Sequence, residues 1–179
     1  MAVLLPLPHL AHLLALLKTL FDIALLRKGP QHLPRSLIIF AMAVGLWMMS
    51  LLTTIVLVDY IDESSFFPEF LWVVAVLSIY SAVVYLAGFS DRIVQTITAI
   101  IGCGALLSVL FAVTYSGLGP LLGRAFLELM VYGFVLWSLS VKGHIVATAI
   151  NTRWYLGALI AASIFFSQLI VSTILLSTS

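Results

Sequence analysis

The strongest constraint on this chain is a series of long apolar runs without an ionisable side chain. Leu37 to Val58, Phe70 to Phe89, Ile93 to Leu118 and Trp154 to Leu176 contain no Asp, Glu, Lys, Arg or His. A helix of about 20 such residues, rising about 1.5 Å per residue, matches the roughly 30 Å hydrocarbon thickness of a bilayer. The backbone there must be continuous helix, because lipid offers its N–H and C=O groups no partner. A fifth run, from about Leu121 to Val141, carries Arg124 and Glu128 in its first turns and is apolar beyond them. The expected spans are therefore 37–58, 70–89, 93–118, 121–141 and 154–176.

Composition agrees with a membrane assignment and removes other classes. Of 179 residues, 63% are hydrophobic and 8% charged, against roughly a quarter charged in soluble domains. A net charge of +1 supplies no concentrated basic field, which argues against a nucleic-acid partner. Cys103 is the only cysteine, so neither an internal disulfide nor a multi-cysteine metal site is available.

Orientation follows from the basic residues, since Lys and Arg close to span ends stay on the cytoplasmic side. Five spans put every Lys and Arg except Arg124 on one side, while "DYIDESSFFPEF", with Asp59, Asp62, Glu63 and Glu69, falls on the other. The expected topology has the amino terminus inside and the carboxyl terminus outside. The bacterial inner membrane is the expected location.

The lead before the first span, residues 1–35, reads as a separate unit from the bundle of residues 36–179. Its "HLAHLLALLKTLFDIALLRKG" is apolar, yet Lys18 and Asp22 interrupt it, each costing about 2.5 to 3.5 kcal/mol at a bilayer centre on insertion scales. It lacks an early basic region and a small-residue cleavage site, so a removable signal is not expected. At 100° per residue His12, Lys18, Thr19 and Asp22 fall within about a third of the helix circumference. The expectation is an amphipathic helix lying in the membrane interface, with Lys18 and Asp22 paired at i,i+4. Arg27 and Lys28 would close it, and Gly29 with Pro30 would stop it. In "RKGPQHLPR", Gln31 and His32 are left as candidate partner contacts. Ala41 with Gly45, Gly102 with Leu106 opposite Cys103, and Gly157 with Ala161 are the expected points of close helix approach.

Chemistry is sparse. Glu128, with Arg124 four residues earlier, is the one charged candidate assigned to a span interior; this pair reads as a structural anchor or as a lipid or partner site. His9, His12, His32 and His144 do not pair at membrane depth, so haem is not expected, and no carboxylate or thiol cluster completes a metal site. No H-E-x-x-H, paired aspartates or nucleophile elbow occurs. "GFSD", Gly88 to Asp91, reads as a helix junction with Ser90 capping the next helix. In "LWSLSVKGHIVATAI", Leu136 to Ile150, Lys142 and His144 read as a membrane exit with Lys142 snorkelling to the headgroups, or as a partner face. No catalytic residue, cofactor site or metal site is assigned.

The short amphipathic lead, five spans, the "LW.L.V.G" pattern in the fourth span and "DIALLRKGPQHLP" before the first resemble the Yip1 domain family, in particular its bacterial members. The likeness runs over about Phe21 to Leu176. It implies a non-enzymatic membrane protein working through protein or lipid contacts. The long cytoplasmic domain that serves small-GTPase binding in eukaryotic members has no counterpart in the short lead, so that role is not carried over. The expected function is a polytopic accessory protein: a scaffold, an assembly factor or a subunit of a larger membrane complex. A membrane-protein partner or a second copy of the chain would join it, and the candidate contacts are Arg27, Lys28, Gln31, His32, Arg124, Glu128, Lys142 and His144. The alternative is a small oligomeric transporter or channel using Glu128 with Gln95, Gln168 and the Ser and Thr residues of the spans.

Overall fold

A computed structural model describes residues 8–58, 66–119, 121 and 123–178. The acidic connection 59–65 lies outside the described residues, as do the side chains of His9, His12, Glu69 and Arg124. The described chain is six α-helices: α1 Pro8–Ala24, α2 Leu37–Val58, α3 Phe66–Leu86, α4 Ile93–Leu118, α5 Arg124–Ala149 and α6 Trp154–Thr178. Short 3-10 turns at Pro30–His32 and Ser90–Arg92 join α1 to α2 and α3 to α4. Four helices, α2, α4, α5 and α6, are long and apolar enough to cross a membrane, while the uncharged part of α3 is shorter. The chain is an all-helical, multi-pass membrane bundle by these properties.

The limits of α2 and α4 coincide with the expected spans. α3 begins four residues earlier than expected and ends three earlier, because Gly88 adopts a left-handed conformation (φ 85°) and lets Phe89 N–H reach the Val84 carbonyl. This is a Schellman ending, which satisfies carbonyls left over in the last turn. α5 runs eight residues past the expected end. Nothing in "KGHIVATA" breaks a helix, and Val141, Ile145, Val146, Ala147 and Ala149 are all buried. The stretch after Val141 is therefore bundle interior rather than a surface segment.

α4 is the central helix, with α2 lying along it and α6 lying along α5. Residues Gln95 to Cys103 of α4 are buried without interruption. The small side chains of "TAIIGCGA" let neighbours approach it from several sides. α5 and α6 meet through glycines: a methyl added at Gly157 would strike the Gly143 carbonyl, and one added at Gly143 would lie 2.7 Å from Ala158 Cα. On α2 the expected Ala41 and Gly45 contact is not made. Both are exposed, nothing lies near Gly45, and the packed face runs through Ala43 and Ser50 instead.

The lead helix departs most from expectation. Leu16, Leu20, Ile23 and Ala24 of α1 are buried in the common core, and Leu20 packs on Gly102, about 14 Å along α4 from its start. Its apolar stripe thus faces protein well inside the bundle. α1 ends at Ala24, five residues before Gly29, in a second Schellman ending. Leu26 is left-handed (φ 61°), Arg27 N–H bonds the Asp22 carbonyl and Leu26 N–H the Ile23 carbonyl. Arg27 and Lys28 therefore lie beyond the helix, and Asp22 pairs with Lys28 at 2.7 Å rather than with Lys18. Likewise α4 starts at Ile93 with Arg92 as its cap residue and no side-chain cap. Ser90 opens the preceding 3-10 turn and does not cap the helix.

Candidate functional site

Among the described residues two places gather polar side chains: one end of the bundle and a cavity beside α4. At the first, which we term the basic end, Arg35 before α2 reaches Asp91 and Gln95, and Arg92 donates to the Ala149 carbonyl at the close of α5. These contacts bring the start of α2 and α4 and the finish of α3 and α5 together. Arg92 also lies over the Phe89 ring, 4.7 Å from its centroid. α5 closes there with left-handed Asn151 (φ 55°), and Thr152 N–H bonds the Ala147 carbonyl. Guanidinium groups at these carbonyl-rich helix ends oppose the negative end of the helix dipoles.

The segment from Ala24 to Leu33 is held to this end by side chains of α4 and α5. Trp137 Nε1 donates to the Ala24 carbonyl at 3.0 Å, His144 Nε2 lies 3.1 Å from the Lys28 carbonyl and Gln95 Nε2 donates to the Leu33 carbonyl. Deeper in, Cys103 Sγ lies 3.4 Å from the Leu20 carbonyl. A carbonyl only accepts, so His144 carries its proton on Nε2. The bond to Lys28 and the nearby cations hold the Asp22 carboxyl below its ordinary value of 3.8, against the raising effect of partial burial.

The expected contact residues therefore separate. Arg27, Gln31 and His32 are exposed at the basic end, with the His32 ring bonded only to its neighbour's carbonyl, that of Gly29. Lys28 pairs with Asp22 while its side chain stays exposed, and the His144 ring is turned inward to the Lys28 carbonyl. Glu128 is exposed near the far end of α5, and Arg124 begins that helix. Gln95, expected to serve a transport path, is committed to Leu33 and Arg35. Among the described residues no group of three or more His, Cys, Asp or Glu is arranged to hold a metal ion.

Lys142 is the residue whose position the sequence reading missed. It is half-buried and lines a cavity of about 400 Å³ bounded by residues of α2 to α6, together with Tyr80, Ser108, Ser138 and Gln168. The overlooked signal is the absence of a helix breaker after it. A helix continuing to Ala149 leaves Lys142 seven residues short of its end, about 10 Å inside. On the α4 and α5 side, Phe111 and Phe134 meet edge to face at 5.4 Å. Comparison of the chain with family models, with curated proteins and with solved structures finds no match.

Proposed function

We propose that the chain is a non-enzymatic accessory protein of a bacterial inner membrane, crossing it five times through α2 to α6. The basic end lies in the cytoplasm and the carboxyl terminus outside. In this reading it acts as a scaffold, assembly factor or subunit, through protein or lipid contacts at the basic end, in line with the Yip1-like pattern of its sequence. The observation that carries the reading is the division of labour among polar groups there. Trp137, His144 and Gln95 hold the lead segment in place, while Arg27, Gln31, His32 and Arg153 stay exposed beside it. A rigid backbone with outward cations and donors suits docking of a partner or of anionic headgroups.

Purification in a mild detergent, followed by mass spectrometry, should recover a stoichiometric membrane-protein partner. Substituting Arg27 and Gln31 by Glu should release it. Recovery of the chain alone with intact activity of its own would refute the reading. For topology, a cysteine placed at Gln31 in a Cys103→Ser background should react with an impermeant maleimide only from the cytoplasmic side.

A second reading, a small transporter, is favoured by the cavity that Ser108, Ser138 and Gln168 line. Glu128 and Gln95 are not among the residues lining it. Under that reading reconstituted vesicles should show substrate flux that Gln168→Leu abolishes.

A further inference from the structure

The cavity beside α4 holds an ammonium and several hydroxyls for which the protein supplies no partner. Lys142 forms no ion pair or hydrogen bond with any described residue. Side chains of Tyr80, Ser108, Ser138 and Gln168 are in the same position. The two serines are unusual within this molecule. Other described helical Ser and Thr side chains, such as Ser81, Thr96, Thr114, Ser140 and Ser163, bond a carbonyl of their own helix, as hydroxyls in apolar surroundings do. Ser108 and Ser138, one on each side of the cavity, do not.

Apart from Thr54, whose hydroxyl bonds the Ser50 carbonyl, the rest of the wall is apolar, formed by side chains such as Leu107, Phe111, Phe134, Ile164 and Phe165. An unpaired cation inside a membrane bundle is costly unless an anion joins it, and the volume lies in the range of ligand pockets, about 300 to 1,000 Å³. Lys142 and Tyr80 stand about 10 Å from the basic ends of their helices, and Leu107, Phe111 and Phe134 about 20 to 27 Å from them, so charge at one level and rings at another fit an amphiphile. One ammonium balances one negative charge. The cavity is bounded by residues of five helices, which suits one chain better than two.

We propose that this cavity binds a single-chain amphiphile with a singly charged carboxylate head, of the class of a free fatty acid. Lys142 pairs with the carboxylate, hydroxyls of Tyr80 and Ser138 donate to it, and the aliphatic chain lies against Leu107, Phe111 and Phe134. This site is separate from the basic end and does not rest on the accessory reading.

The test uses the full chain in maltoside detergent with a diazirine-bearing palmitate as the probe. Saturable photolabelling should map to peptides of α4 around Leu107 to Phe111 and of α5 around Val131 to Val135. Unlabelled palmitate should compete at least ten-fold better than hexadecanol. Lys142→Gln should lower saturable labelling at least ten-fold, and Lys142→Arg should retain most of it, both judged on protein that elutes as a single folded species. Should Lys142→Gln fail to fold, the competition on the unaltered protein decides alone. Equal competition by hexadecanol, labelling confined to lipid-facing peptides of α2 or α3, or no saturable labelling would overturn the proposal. Stronger competition by a monoacyl phosphate than by palmitate would overturn the carboxylate assignment.

Discussion

The first half of α4 and its second half run through opposite surroundings. From Gln95 to Cys103 every residue is buried, and Gln95, Thr96, Thr98 and Cys103 each have a hydrogen-bond partner. Beyond Gly104 the same helix borders the cavity, and Ser108 has no partner. One helix thus serves as a fixed seat for the lead segment at one end and as the wall of an open space at the other. Buried polar groups that are fully satisfied hold a structure in one arrangement, whereas unsatisfied ones are expensive unless something else enters.

That contrast can be broken at graded cost. The largest effect is expected for Gly157→Leu, which drives a side chain into the Gly143 backbone. Its cost should exceed the roughly 3 kcal/mol typical of an overpacked core, and size-exclusion profiles should show loss of the monodisperse species. Gly133→Leu, where an added side chain meets open space, should leave the profile unchanged. Leu20→Ala empties the seat on Gly102 and should cost about 2 kcal/mol, the low end for core truncations. Alkylation of Cys103 by N-ethylmaleimide should accelerate in that variant, because α1 covers the thiol. Unchanged alkylation would mean that α1 does not guard this half of α4.

Smaller changes sharpen the same comparison. Trp137→Phe deletes one hydrogen bond to Ala24 and should cost about 1 kcal/mol, with a modest rise in Cys103 reactivity. Leu26→Gly should do the opposite. A left-handed leucine costs about 1 to 2 kcal/mol that glycine avoids, so the melting temperature should rise. The smallest effect concerns pH. The folded-state value of Asp22 lies below 3.8, so its contribution is complete above that value and is lost as pH falls through the lower folded one. Thermal melts should be insensitive to Asp22→Asn near neutrality only to the extent that an exposed pair is weak, and any difference between the two proteins should vanish in strong acid.

The bundle was legible where composition changes sharply. Uncharged runs marked α2, α4 and α6 closely, and "GFSD" marked a helix junction because Gly88 is needed in a left-handed turn. The bundle is not legible where charge alone suggests a boundary. Lys142 reads from its charge as a membrane exit or a partner face, although the sequence after it continues to favour helix. The docking of α1 was illegible for a deeper reason. Its leucine stripe is equally content against lipid tails or against Leu-rich helices, so periodicity does not tell the two apart. Only the donors that meet it, Trp137 and Cys103, carry that information, and they lie 113 and 83 residues from their acceptors. The left-handed Leu26 was equally hidden, since leucine is not a residue that marks such turns.

The seating of α1 also sets an order of events during synthesis. The helix is made first, yet its seat is built from α4 and α5, and His144 lies 116 residues after the Lys28 carbonyl it holds. Until α5 is complete, α1 has to keep its leucines covered some other way. The interface between water and lipid suits its polar stripe during that wait. The amphipathic pattern then serves the unfinished chain as a parking place, and the donors on α5 serve as the latch that seats it.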